Sequence, residues 1–259
     1  MTRLTRLSRS IQGKVALVTG AASGMGRATA HLFADEGAHV AVTDLEDEKV
    51  QRVVAEIEAA GGSACGWALD ASDAAARAAV VEAVVARWGA LEILVNNAGV
   101  VFESALEDPD FEQHWARTFA VNLAAHVGMV RACLPHLAAC GAGRVVNIAS
   151  TEALGATRGI SAYTSSKTGV IGLTRSLAVE LASRGITVNC ICPGAVDTGM
   201  TANIDDASKQ EFARRRVALK RYADPEEIAH MTLSLVLPAA SYLTGAAIPV
   251  DGGLTIKNA

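Results

Sequence analysis

Short runs of apolar, β-branched residues alternate along the chain with longer stretches in which apolar residues recur every three or four positions. The short runs are typical of strands buried on both faces, and the longer stretches of helices with one buried side. The runs predict strands at residues 15–19, 39–44, 64–69, 91–96, 144–149, 187–192 and 248–250, and the periodic stretches predict helices at 24–36, 46–60, 71–88, 111–140, 162–183 and 225–237. This alternation implies right-handed crossovers, so we expect an α/β fold in one domain: a three-layer Rossmann fold with a doubly wound, parallel sheet.

Two segments depart from the pattern. Residues 195–216 are polar, follow the sixth predicted strand and end in Arg214-Arg215-Arg216. Ligands bind at the carboxyl ends of the strands in such sheets, so this segment is either a mobile lid or a solvated surface helix. Residues 1–11 carry Arg3, Arg6 and Arg9 without the apolar core of a secretory signal, and we expect a flexible tail before a domain of residues 12–259.

Composition narrows the class of protein. Hydrophobic residues make up 51% and charged residues 19% of the chain, which is typical of a globular protein. The net charge of −4 gives no electrostatic basis for nucleic-acid binding, and no apolar run is long enough to span a membrane. The six histidines and the five cysteines (Cys65, Cys133, Cys140, Cys190 and Cys192) lack metal-site spacing. We therefore expect no metal and a reducing, cytoplasmic location.

A glycine-rich turn separates the first predicted strand from the first helix. Its residues are Gly20, Ala21, Ala22, Ser23, Gly24, Met25 and Gly26, in a G-x-x-x-G-x-G spacing. Glycines at this place let the backbone turn sharply and approach a pyrophosphate, which rests on the helix N-terminus. The turn therefore predicts a dinucleotide site at this edge of the sheet.

Polar residues end the next predicted strands on the same edge. Asp44, followed by Leu45, ends the second strand, and its carboxylate can bind the ribose hydroxyls of NAD while repelling the 2′-phosphate of NADP. No basic residue of the turn or of Leu45-Glu46 would offset that repulsion, so NAD is favoured over NADP. Asp70 follows the third strand, and Asn96-Asn97-Ala98-Gly99 the fourth. Asp44 and Asp70 could instead cap the helices that follow them.

Tyr163 and Lys167 are four residues apart at the start of a predicted helix, so they lie on one face. A nearby ammonium group favours the phenolate, and we expect it to lower the pKa of Tyr163 toward a value useful for acid–base catalysis. Ser150 ends the fifth strand at the same edge, where its hydroxyl can bind a substrate oxygen.

Taken in order, Thr19–Gly26, Asn96–Gly99, Asn122, Ser150, Tyr163–Lys167 and Pro193-Gly194 resemble the single-domain branch of the short-chain dehydrogenase/reductase family from about Gln12 to Leu254. The resemblance implies a seven-stranded Rossmann sheet and hydride transfer between NAD(H) and a secondary alcohol or ketone. It assigns adenine to Asp70 and Ala71, ribose to Asn97 and Gly99, with Ala98 between them, and the nicotinamide end to Pro193, Gly194, Val196 and Thr198. It also implies that Ser150 and Tyr163 are catalytic and that Lys167 binds the nicotinamide ribose. Asn122 is then expected to hold a water that relays protons from Lys167.

Substrate and assembly stay open at this stage. Glu152, Leu154, Ile160 and Met200, with Ser150 and Tyr163, are the expected substrate contacts, and they fit a small alcohol or ketone. An alternative is a 3-oxoacyl-carrier-protein reductase that uses NADPH, for which Arg214–Arg216 could dock an acidic carrier. A non-enzymatic NAD-binding sensor is disfavoured because all four catalytic residues are present, and an extended-branch epimerase because the chain leaves no room for its larger substrate domain. The family resemblance implies a homotetramer or dimer, with residues 111–140 and 162–183 as candidate faces.

Overall fold

Seven strands form one parallel sheet at the centre of the molecule. A computed structural model describes residues 4–258. The strands are β1 (Val15–Thr19), β2 (His39–Asp44), β3 (Ser63–Ala68), β4 (Ile93–Asn96), β5 (Arg144–Ile148), β6 (Thr187–Pro193) and β7 (Ala247–Val250). Their order is β3-β2-β1-β4-β5-β6-β7, and every neighbouring pair is parallel. The predicted doubly wound sheet in a single domain is confirmed, and its direction of winding reverses between β1 and β4, where such sheets bind ligands.

Helices cover both faces of the sheet. They are α1 (Gly24–Asp35), α2 (Asp47–Ala59), α3 (Ala74–Trp88), α4 (Phe111–Phe119), α5 (Ala125–Ala139), α6 (Ser161–Leu181), α7 (Asp206–Arg216) and α8 (Pro225–Val236). On one face α1 packs against α2 and α8, and on the other α3 packs against α5 while α4 packs against α6. Each face closes over a core of mainly aliphatic side chains. Strands such as β1 are buried at every position, which explains their continuous apolar runs.

The third helix begins three residues later than its periodicity predicts. Asp73 is its N-cap, and Asp73 Oδ1 accepts hydrogen bonds from the backbone N of Ala75 (2.8 Å) and of Ala76 (3.2 Å). The turn at residues 70–72 therefore stays outside the helix, at the carboxyl end of β3. Asp70 is free of the capping role that the sequence left open for it.

One continuous helix was expected over residues 111–140, and the structure divides it. A π-helical turn, Ala120–Ala124, lies between α4 and α5. Such a turn inserts an extra residue into the helical ladder and is frequent at functional sites. Asn122 lies at its centre and is 0% exposed, so the distortion carries a polar side chain into the interior.

The irregular segment after β6 contains a short 3₁₀ turn, Gly199–Thr201, followed by α7. Ala213 is the one buried residue of α7, so the surface-helix alternative is confirmed for residues 206–216, whereas a lid movement stays a prediction. The division at residue 12 also stays a prediction, and Ile11 already packs into the core with 1% of its surface exposed. Within residues 4–258, no helix combines the length and apolarity needed to cross a membrane.

Candidate active site

The glycine-rich turn where β1 meets α1 leaves no space for a side chain at Gly20 or Gly26. Gly20 has a φ of 64° and Gly24 a φ of 52°, in the left-handed region that glycine tolerates best. A Cβ at Gly20 would lie 2.8 Å from the Cα of Ala98, and one at Gly26 would overlap the carbonyl of Gly20. Ser23 makes no side-chain capping bond to α1. The first amides of α1 therefore stay available to an anion, as a bound pyrophosphate requires.

Hydrogen bonds join this turn to the segment after β4. Thr19 Oγ1 accepts from the backbone N of Asn97 (3.0 Å) and of Ala98 (3.1 Å). In return, Asn97 Nδ2 donates to the carbonyls of Thr19 (3.0 Å) and Gly20 (2.9 Å). Sequence reasoning placed Asn97 at the ribose and included Thr19 in the glycine-rich motif without giving it a role. The Thr19 hydroxyl fixes the spacing between the two strand ends at the point where the sheet reverses.

Asp44 lies at the end of β2 and does not cap α2, because Glu46 occupies the N-cap position. Its Oδ2 accepts from the backbone N of Ala22 at 3.0 Å, and its Oδ1 from the backbone N of Leu45 at 2.7 Å. The carboxylate is thereby fixed beside the glycine-rich turn. The predicted position of Asp44 next to a bound ribose agrees with this geometry.

Asp70 takes part in a small polar network at the end of β3. Its Oδ1 accepts from Ser72 Oγ (2.6 Å) and the Ser72 backbone N (2.8 Å). Arg117, from α4, donates to Ser72 Oγ (3.0 Å) and reaches Asp70 Oδ2 at 3.4 Å. The hydrogen bond from the Ser72 hydroxyl, followed by the Ser72 amide and the Arg117 charge, holds the pKa of Asp70 below its usual range despite partial burial. No local pattern in the sequence indicated Arg117.

A cavity of about 520 Å³ opens at this edge of the sheet, within the size range of ligand pockets. Its walls include most of the predicted cofactor contacts: Gly20, Ser23, Gly24, Met25, Asp44, Leu45, Asp70, Ala71, Asn97, Ala98, Gly99, Tyr163, Lys167 and Thr198. They also include residues that the sequence analysis missed, among them Val100, Val101, Phe102, Arg117, Gly199 and Asn203. Residues 100–102 follow β4 directly, so their place after a strand end was an available signal.

A larger, more open groove of about 850 Å³ lies outside the turn, between α1 and the start of α8. It shares Gly24, Thr198 and Gly199 with the cavity, but none of the predicted catalytic residues lines it. In its wall Lys209 and Asp197 form an ion pair of 2.7 Å. We therefore assign the candidate active site to the smaller cavity.

Asn122 and Lys167 converge behind the cavity. Asn122 Oδ1 accepts from the backbone N of Val100 (2.8 Å), and Asn122 Nδ2 donates to the Val100 carbonyl (2.9 Å). A Cβ at Gly99 would lie 3.4 Å from Asn122 Oδ1 and 3.5 Å from Lys167 Nζ, so both atoms lie beside one backbone position. Lys167 is 3% exposed, and its Nζ donates to the carbonyl of Ile148 at 2.7 Å. Burial lowers the pKa of Lys167 to about 8.

The pKa of Tyr163 moves opposite to our expectation. Burial raises it because the phenolate loses hydration, and the nearby Glu152 charge raises it further, while a hydrogen bond with Ser150 lowers it. Lys167 Nζ does lie 5.7 Å from the centre of the Tyr163 ring. In the protein alone, desolvation is the largest influence, and the pKa of Tyr163 lies above its ordinary value rather than below it as expected.

The remaining predicted residues lie at the margin of the cavity. Met200 lines it, whereas Glu152, Leu154 and Ile160 belong to the segment between β5 and α6 and do not. Ser150 lies at the start of the same segment and is likewise not part of the cavity wall. Its Oγ accepts from the backbone N of Glu152 at 3.1 Å. Pro193 is the last residue of β6, and Gly194 and Val196 follow it; all three lie outside the cavity wall. Gly194 pairs with β7, since its N donates to the Val250 carbonyl at 3.0 Å.

Comparison with known proteins places the whole chain beside reductases and dehydrogenases. A family model described as enoyl-(acyl carrier protein) reductase matches residues 20–255. The 3-oxoacyl-[acyl-carrier-protein] reductase FabG of Thermotoga maritima is 38% identical over 246 residues, covering 95% of this chain and 99% of that protein. The cyclohexanol dehydrogenase of Acinetobacter sp. strain SE19 is 36% identical over 251 residues, covering 97% and 98%.

A solved structure has the same fold over nearly its full length. It is a candidate NAD(P)-dependent gluconate 5-dehydrogenase from Beutenbergia cavernae, with NADP bound at low occupancy. Its TM-score is 0.90 at 39% sequence identity, and the match covers 96% of this chain and 99% of that one. The likeness therefore concerns nearly the complete fold.

Proposed function

Because the chain belongs to the short-chain dehydrogenase/reductase family of oxidoreductases, we propose that it interconverts a secondary alcohol and a ketone with NAD(H). One observation carries this proposal: Tyr163 and Lys167 line the same cavity as the glycine-rich turn and Asp44. A proton-transferring group and a dinucleotide cradle thus meet at one surface. The tight packing at Gly20 and Gly26 fits the backbone approach that a pyrophosphate needs.

We assign the proton chemistry to the side chains around Tyr163. When bound, the nicotinamide cofactor accepts or supplies the hydride, which no protein side chain can do. In alcohol oxidation Tyr163 takes the hydroxyl proton, so the substrate loses one proton and one hydride and becomes a ketone; in reduction Tyr163 returns the proton. Ser150 holds the substrate oxygen by a hydrogen bond. Lys167 passes the proton onward from Tyr163, by way of a water held near Asn122, which lies beside Lys167 at Gly99.

The cofactor preference follows from charge. Asp44 presents a fixed carboxylate beside the turn, where the 2′-phosphate of NADP would meet a like charge. Arg27, the nearest cation along α1, already pairs with Glu56 of α2 at 2.8 Å. These contacts favour NAD(H). The Michaelis constants for NADH and NADPH test this preference. Asp44→Ala should reduce the difference between the two constants. A wild-type enzyme that prefers NADPH would overturn the assignment.

The catalytic assignment is tested with two matched tyrosine variants. Tyr163→Phe should bind NADH, measured by fluorescence titration, and lose nearly all turnover, because no other hydroxyl can replace the proton donor. Tyr222→Phe removes a hydroxyl from a tyrosine that packs near Phe212 and Lys209 outside the cavity, and it should keep turnover. Near-normal turnover in Tyr163→Phe would contradict the mechanism.

A substrate panel decides between the main proposal and its alternative. The protein is assayed with free secondary alcohols and ketones, a 3-oxoacyl thioester and an enoyl thioester, each with both cofactors. Turnover of the 3-oxoacyl thioester with NADPH alone would favour the carrier-protein reductase, which the FabG relative supports. Against it, Arg214 and Arg215 of the candidate docking patch both pair with Glu211. The oligomeric state and the cytoplasmic location stay predictions.

A further inference from the structure

A carboxylate lies beside the proposed proton-transferring tyrosine. Glu152 belongs to the 3₁₀ turn that follows Ser150, and its backbone N donates to Ser150 Oγ at 3.1 Å. Its Oε1 accepts from Thr157 Oγ1 at 2.9 Å, and its Oε2 from Thr164 Oγ1 at 3.3 Å. Thr164 directly follows Tyr163 in α6. These bonds hold the carboxylate between the segment after Ser150 and the start of α6.

The charge of Glu152 is not neutralised by its neighbours. Across residues 4–258, no basic nitrogen lies within 4.0 Å of this carboxylate. Arg158, in the same segment, is exposed. The acidic Glu103, on the loop after β4, packs against Gly159 of the same segment, with its Cγ 3.3 Å from the position of a Cβ there.

The two cations of the cavity wall are already engaged. Arg117 bonds Ser72 and reaches Asp70, and Lys167 bonds the carbonyl of Ile148. No third lysine, arginine or histidine is among the described residues that line the cavity. A substrate carboxylate near Tyr163 would therefore meet a negative charge without a free cation to bind it, whereas an apolar group would meet Phe102 and Met200.

We propose that Glu152 maintains a negative charge next to the reacting oxygen and thereby limits the substrate to uncharged alcohols and ketones, disfavouring carboxylates. This inference rests on the proposed function, since it concerns selection at the same site. The interaction needs no direct contact, because charges act on each other over several ångströms. The same charge opposes ionisation of Tyr163, whose pKa it helps to raise.

The first test measures Tyr163 directly and needs no substrate. The near-ultraviolet absorbance of phenolate is followed against pH in the wild type and in Glu152→Gln, and each signal is corrected with the corresponding Tyr163→Phe background. Gln can still accept the threonine hydrogen bonds but carries no charge. We expect the midpoint for Tyr163 to fall by about 0.5–1 pH unit. Glu103→Gln removes a charge of the same kind from the neighbouring loop and should leave the midpoint in place.

The second test compares two substrates that differ in one charge. We use 4-hydroxycyclohexanecarboxylate and its methyl ester, with NAD⁺. The wild type should prefer the ester in kcat/KM, and Glu152→Gln should reduce that preference at least fivefold. An unchanged midpoint, an equal shift in Glu103→Gln or a wild-type preference for the free acid would each overturn the inference. If neither compound reacts, the titration alone decides whether Glu152 acts on Tyr163. Whether the proposed oxidoreductase function is correct is tested separately by the turnover of Tyr163→Phe.

Discussion

Replacing the buried Lys167 by Met should make the protein more stable at neutral pH while abolishing turnover. Lys167 is 3% exposed, and burial lowers its pKa from an ordinary value of 10.5 to about 8. Below pH 8 the amine is protonated in both the folded and the unfolded chain, so the folded state holds a poorly hydrated charge. Met has a similar length and no charge, so it removes this cost.

The structure sets the size of the effect. A pKa lowered by about 2.5 units corresponds to about 3 kcal/mol of destabilisation at pH 7, since each unit is worth about 1.4 kcal/mol. Met also leaves the Ile148 carbonyl without its 2.7 Å hydrogen bond, at a cost of about 1–2 kcal/mol. The free energy of unfolding should therefore rise by about 1–2 kcal/mol at pH 7.

The difference in stability between the variant and the wild type should depend on pH. Between pH 8 and 10.5 the unfolded chain binds the Lys167 proton more tightly, so wild-type stability should rise with pH by up to about 1.4 kcal/mol per unit. Lys167→Met lacks this rise. The amount by which its free energy of unfolding exceeds that of the wild type should therefore shrink by roughly 2 kcal/mol between pH 7 and 9.5. Above pH 10.5 only the lost hydrogen bond remains, and the variant should be slightly less stable than the wild type.

Urea unfolding of both proteins at one protein concentration, at pH 7 and 9.5, measures these differences. Lys49→Met is the matched control, because Lys49 is half exposed and pairs only with Glu46 on the surface. Its stability should stay close to that of the wild type at both pH values. A Lys167→Met protein that is less stable at pH 7, or whose difference from the wild type does not change with pH, would refute the reasoning.

Three further predictions follow from single contacts. Arg117→Met should raise the KM for NADH about five- to tenfold because Asp70 and Ser72 both lose their bonds to Arg117. It should spare kinetics with reduced nicotinamide mononucleotide, which lacks adenosine; equal losses would mean a general structural defect. Gly26→Ala should cost about 2–3 kcal/mol in urea unfolding because its methyl overlaps the Gly20 carbonyl, whereas Gly172→Ala, with open space around it, should cost nothing. Asn122→Leu should lower both kcat and the unfolding midpoint, since both Val100 bonds are lost; unchanged kcat would separate Asn122 from catalysis.

Most of the fold could be predicted from local pattern. A strand buried on both faces, such as β1, must be apolar throughout, and a helix packed on one side must repeat its apolar residues with the helical period. The glycine-rich turn was equally predictable, because the positive φ values at Gly20 and Gly24 favour glycine at those positions. The π-helical turn at Asn122 was not predictable, because helical periodicity does not report one inserted residue.

The sequence by itself thus determined the order of strands and helices along the chain, the sheet edge that holds the candidate site and the residues proposed for proton transfer and cofactor binding. Only the tertiary structure decided that Arg117 reaches Asp70, that Glu152 bonds Thr164 next to Tyr163, and that burial raises the tyrosine pKa. These outcomes depend on distances between residues far apart in the chain and on how much water each group loses. Local sequence encodes backbone preference and apolar period, whereas charge interactions and desolvation exist only once the chain has packed.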